Sequence, residues 1–109
     1  MPTTYKILGQ SAPSAATTAS TTLVTAANPT VISSIRIVNR DTVATTFDIA
    51  VVPSGGTLGN QHYISFDTQL GAKEDVGLVF GITLATGDTL RVGAANGLCS
   101  FSAFGSEIF

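Results

Sequence analysis

Charge is what this chain has least of. Five basic and seven acidic residues make 11% of 109 positions, where an ordinary soluble domain carries about 25%. Tryptophan is absent, and histidine, cysteine and methionine occur once each. The lone Cys99 excludes an internal disulfide. Lys6, Arg36, Arg40, Lys73 and Arg91 are dispersed and the net charge is −2, so no basic stripe tracks phosphates and no nucleic-acid partner is expected. No run of about 18 apolar residues occurs, so no membrane-spanning helix is expected. The opening Met1-Pro2-Thr3-Thr4-Tyr5-Lys6 lacks a basic start followed by an apolar stretch, so no secretory signal is read and cytoplasmic synthesis fits.

Helix signals are missing as well. Strong helix formers are sparse, and no stretch repeats apolar residues at i, i+3, i+4 and i+7 over three turns. β-branched residues dominate instead, and the mean hydropathy is +0.39. Threonine, alanine, serine and glycine stand where solvating charges would keep a monomer apart from its neighbours. The composition therefore predicts a surface that other protein covers.

Strands are predicted at 5–8, 21–25, 30–40, 45–52, 62–67, 76–84, 89–94 and 98–104, separated by turn clusters. One domain is the natural size. The fold class expected is all-β, an antiparallel two-sheet β-sandwich of about seven to eight strands with an extended N-terminal arm. Residues 1–20 would form the first strand and the arm, with 10–20 too poor in bulky side chains to fix itself. Residues 21–109 would form the sandwich. Whether the connections are jelly-roll or immunoglobulin-like stays open.

Two pairings are predicted. Closing a loop over Asp41-Thr42-Val43 sets Ile37 opposite Phe47, Ile35 opposite Ile49 and Arg36 opposite Asp48, so apolar and charge pairing agree. Asn96-Gly97, a strong hairpin signal, should join the last two strands. Core candidates are Ile35, Ile37, Phe47, Ile49, Val51, Ile64, Phe66, Leu78, Phe80, Ile82, Leu90, Val92, Cys99, Phe101 and Ala103. Each large one is worth roughly 1.5–3 kcal/mol when buried.

Chemistry-bearing patterns are few. His62 has no acidic or second ligand partner at a recognisable spacing, so a structural role is expected. Cys99, with no basic neighbour in sequence, reads as a small core residue. Glu74, Asp75 and Asp88 match no cation-loop spacing. Pro53-Ser54-Gly55-Gly56 lacks the ending of a phosphate loop, and no G-x-S-x-G elbow occurs. The expectation is no enzyme, with no catalytic, cofactor-binding or metal-binding residues and no cofactor.

Several blocks resemble small virion structural proteins of tailed bacteriophages. They are Tyr5-Lys6-Ile7-Leu8-Gly9-Gln10-Ser11-Ala12-Pro13, Ile37-Val38-Asn39-Arg40, Ala44-Thr45-Thr46-Phe47-Asp48-Ile49-Ala50-Val51, Gly81-Ile82-Thr83-Leu84 and Phe101-Ser102-Ala103-Phe104-Gly105-Ser106-Glu107-Ile108. The resemblance implies a non-enzymatic component of the virion, made in the host cytoplasm. Its partners would be the major capsid protein or other virion proteins, with self-association into a homo-oligomer. A capsid decoration (cement) protein is the leading expectation. The alternatives are a tail, baseplate or fibre-attachment protein, and a host receptor or glycan-binding module. The last would need an exposed aromatic or acidic cluster, and two tyrosines without tryptophan offer no sugar-stacking platform.

Overall fold

A computed structural model describes residues 3–14 and 19–108, the side chain of Phe80 excepted. Eight strands follow one another: β1 (Thr3–Ser11), β2 (Thr21–Thr25), β3 (Thr30–Asn39), β4 (Thr45–Val52), β5 (Tyr63–Leu70), β6 (Asp75–Leu84), β7 (Thr89–Ala94) and β8 (Cys99–Ile108). Among the described residues one 3-10 turn, Asn60–His62, precedes β5. The strands form two antiparallel four-stranded sheets, ordered β1-β8-β3-β6 and β2-β7-β4-β5. Only β4 and β5, joined through residues 53–62, are consecutive neighbours in one sheet. Every other connection crosses from one sheet to the other. This order, with two four-stranded sheets wound together, is the double Greek key of a jelly roll, and it settles the topology that the strand pattern left open.

Both pairing expectations are corrected by that topology. β3 pairs with β6 and β8, whereas β4 pairs with β5 and β7. Ile37 therefore lies opposite Phe101 and Val76, not Phe47, and Ile35 lies opposite Ala103 and Leu78, not Ile49. Arg36 lies opposite Ser102 and Gly77, and its ion partner is Asp75, not Asp48. Alternation had identified the inward faces correctly, since Ile35, Ile37, Phe47 and Ile49 are all buried in one cluster. They belong to that cluster from opposite sheets. Side-chain period reports which way a residue faces, and it is blind to which strand lies alongside.

Asn96-Gly97 is likewise no hairpin, because β7 and β8 belong to different sheets. Neither residue adopts the positive φ that a tight primed turn requires. Asn96 works through its side chain instead. Its amide donates to Asn39 Oδ1 at 3.3 Å and to Asp41 Oδ2 at 3.4 Å, and its Oδ1 accepts from Leu98 N–H at 3.4 Å.

The core lies between the sheets. Ile32, Ile35, Ile37, Phe47, Ile49, Leu84, Leu90, Val92, Phe101 and Ala103 are fully enclosed. Leu78 and Ile82 pack against it half-buried, and Phe80 falls outside the described side chains. Ile64 and Phe66, expected in the core, are exposed. The cause is the irregular edge strand β5, whose register against β4 shifts on either side of Ile49. Asp67 takes a left-handed φ of 49° there, and its N–H donates to the buried Asp48 carboxylate at 2.8 Å.

β1, assigned with the arm to the N-terminal piece, is an edge strand of the sandwich and pairs with β8 from Thr3 to Ser11. Gly9 sits where β1 meets β2. A Cβ there would collide with the Leu23 carbonyl oxygen, so glycine lets the two sheets close at that corner. Beyond β1, the chain returns to the core at the fully buried Ala19. The middle of the expected arm, residues 15–18, lies outside the described residues.

Candidate interaction surface

The outward face of the β1-β8-β3-β6 sheet carries an arrangement that the linear sequence does not display. The register places Ile7 of β1 opposite Phe104 of β8, Phe104 opposite Ser34 of β3, and Ser34 opposite Val79 of β6. These four residues make one row straight across the sheet. A second row runs Tyr5, Ser106, Val31, Thr83. Neither row contains an ionisable group other than the Tyr5 phenol. Val79 and Tyr5 are 87% and 83% exposed, and Ile7 and Phe104 are exposed as well. Ile7, Phe104, Val79, Tyr5 and Val31 thus share one face with the hydroxyls of Ser34, Ser106 and Thr83.

The ionised groups near these rows are paired within the chain. Lys6 and Glu107 alternate with Tyr5, Ile7 and Ser106, so they pair on the opposite side of the sheet, where Glu107 also accepts from the Asn28 amide at 3.1 Å. The Lys6 and Asn28 hydrogen bonds hold the Glu107 carboxyl below the usual carboxylate range, against a smaller opposing effect of burial. On the outward face itself, one outward position along from Ser34, Arg36 lies across Gly77 to reach Asp75. A Cβ on Gly77 would stand 2.9 Å from the guanidinium, so glycine keeps that path open.

A cleft of about 760 Å³ opens at one end of the sandwich, lined in part by Asp41, Val43, Gln69, Glu74 and Asn96. Several of its polar groups are occupied by the fold. The buried Asn39 donates to the Val43 and Gly71 carbonyls, both at 3.0 Å, and accepts from Asp41 N–H at 3.0 Å. Asp41 accepts from Thr42 N–H at 2.7 Å, and Glu74 accepts from Gly71 N–H at 2.6 Å. Among the described lining residues there is no histidine, cysteine or aromatic ring. The network pins three inter-strand turns to one another.

The residues weighed for chemistry are dispersed. His62 closes the 3-10 turn, its Nδ1 accepting from Gly59 N–H at 2.9 Å. Cys99 is buried, its thiol donating to Asn96 Oδ1 at 3.4 Å. Burial pushes that thiol up in pKa. Arg40, a basic neighbour supplied by the fold, opposes the shift only in part. Glu74 and Asp75 lie before and at the start of β6, while Asp88 lies past its end. Asp88 there accepts from Ser54 and Ala85 N–H groups, both at 2.9 Å. Among the described residues no three His, Cys, Asp or Glu gather into a metal-binding group.

Sequence reasoning missed the apolar rows. The available signal was phase: Phe104 follows Cys99, Phe101 and Ala103 out of step, and Val79 falls between Leu78 and Phe80. The fold and surface define a jelly-roll domain with one bare apolar face. No protein-family model matches the chain, and no curated protein matches it.

Proposed function

We propose that the chain is a non-enzymatic structural protein of a bacteriophage virion, a capsid decoration (cement) protein that bridges neighbouring major capsid subunits. One observation carries this reading: the uncharged apolar rows on the outward face of the β1-β8-β3-β6 sheet. Four strands about 4.8 Å apart, each about ten residues long, span roughly 600 Å². That is close to the roughly 800 Å² per partner of a stable protein interface. Covering such a face removes apolar surface from water and meets a charge pair already neutralised within the chain, Arg36–Asp75.

The low charge of the whole chain and the resemblance of its strand blocks to small tailed-phage virion proteins support the same reading. Jelly rolls occur in viral capsid proteins and also in lectins, so the fold adds only analogy. Quantitative mass spectrometry of purified virions from the encoding phage tests it. A decoration protein should be present in hundreds of copies, as a closed symmetric shell demands. A handful of copies would move the protein to the tail, and absence from the particle would end the virion reading.

A further inference from the structure

The four sheet edges are not equally protected. An open edge offers unpaired N–H and C=O groups to any passing strand, and proteins block it with charge, bulges, shortness or cover. β2 is five residues long. β5 is irregular at two places. β1 carries Lys6 and meets β2 at Gly9. β6 is ten residues long, and from Val76 to Leu84 it contains no charge and no proline.

The sequence of that long, uncharged strand is close to a palindrome about Val79. Val76-Gly77-Leu78-Val79-Phe80-Gly81-Ile82 reads in kind the same in both directions. Antiparallel pairing of β6 with β6 of a second copy, on a twofold axis through Val79, sets Val79 opposite Val79. It also sets Gly77 opposite Gly81, Leu78 opposite Phe80 and Val76 opposite Ile82. Aliphatic meets aliphatic or aromatic, and glycine meets glycine. Both kinds of antiparallel residue pair accept such an axis.

The register against β3 shifts between Ile32 and Ser34, where β6 uses one residue more than β3, so β6 carries a single irregularity. Gly77, Val79, Gly81 and Thr83 are exposed, whereas Val76, Leu78 and Ile82 are half-buried at the open flank of the core.

We infer that two copies of this chain associate edge to edge through β6, joining their four-stranded sheets into one eight-stranded sheet. The second copy is the favoured occupant because twofold association demands self-complementarity, which this strand has. The charge-free stretch brings no like charges together. The apolar row Ile7, Phe104, Ser34, Val79 then continues through the axis into the same row of the second copy. The inference concerns self-association alone and does not depend on the virion reading.

Light scattering during size-exclusion chromatography of the intact 11.1 kDa chain provides the test. At micromolar concentration the mass should be twice that of the monomer. Val79→Lys and Val79→Glu each place like charges on the axis and should weaken the dimer at least tenfold. Mixing the two variants should restore it. Ile7→Lys, on the far edge of the same face, should leave it intact. A wild-type monomer, a dimer indifferent to both Val79 variants, or one broken by Ile7→Lys would each overturn the inference. Amide exchange of the unaltered chain gives an independent reading. Protection across 76–82 should rise with protein concentration, and a concentration-independent pattern would overturn the inference without any variant.

Discussion

The two outward faces of the sandwich are treated in opposite ways by the same chain. On β4, Asp48, Ala50 and Val52 alternate with the core residues Phe47 and Ile49, so they point away from the core. All three are nevertheless buried. The 3-10 turn of the β4–β5 connection packs against β4, Gly56 approaches Val52, and Asp67 donates to Asp48. On the other sheet, Val79, Phe104, Ile7 and Tyr5 occupy the equivalent outward positions and are exposed. That contrast, more than low charge alone, supports a role in assembly.

The largest test of the contrast compares two phenylalanines on β8. Phe101 is 1% exposed and Phe104 is 37% exposed. Phe101→Ala should cost about 3–5 kcal/mol in urea unfolding, while Phe104→Ala should cost under about 1 kcal/mol. Equal losses would mean that Phe104 already contributes to a core. Next in size is Asp48→Ala, which strands the Asp67 N–H beside a left-handed backbone and should cost about 1–3 kcal/mol. The matched change on the bare face, Arg36→Ala, removes an exposed ion pair and should stay within about 0.5 kcal/mol.

Smaller still is an effect of acid. Because Glu107 has a lowered pKa in the fold, its contribution is present above the unfolded carboxyl pKa and fades as pH falls through the folded value. The melting-temperature gap between wild type and Glu107→Gln should therefore close in acid, and a constant gap would exclude the Lys6 and Asn28 bonds as its source. Cys99 gives the least perturbing probe: a thiol reagent at neutral pH should label it only as fast as the protein opens, since burial keeps the thiol protonated. Rapid labelling of the native chain would show that the β7–β8 end is looser than its Asn39–Asn96 network implies.

Much of the fold was legible in the sequence, and the failures have a common cause. Strands 21–25, 45–52 and 89–94 lie where turn residues and alternation put them, matching β2, β4 and β7. Ile35, Ile37, Phe47, Ile49, Leu90, Val92 and Phe101 are core residues, as their phase required. The Ile37–Phe47 pairing failed although its faces were right. A short loop over Asp41 can close a hairpin or carry the chain to the opposite sheet, and the flanking pattern is the same for both. Ile64 and Phe66 failed because β5 is irregular, and a bulge shifts side-chain phase without a reliable residue signature. Of the candidate surface, each residue was visible singly as an apolar residue out of step. Its assembly into rows required the β1-β8-β3-β6 order.

Alone, the chain of letters dictates all-β structure, a scarcity of charge, and the inward side of most strands, because two-residue periodicity and β-branched composition act locally. Neighbour relations were decided only in three dimensions: seven connections, six of them crossing between sheets, set which strands lie side by side. Hydrogen-bonded pairing between residues distant along the chain has no local signature, and the exposed rows exist only once that pairing is made.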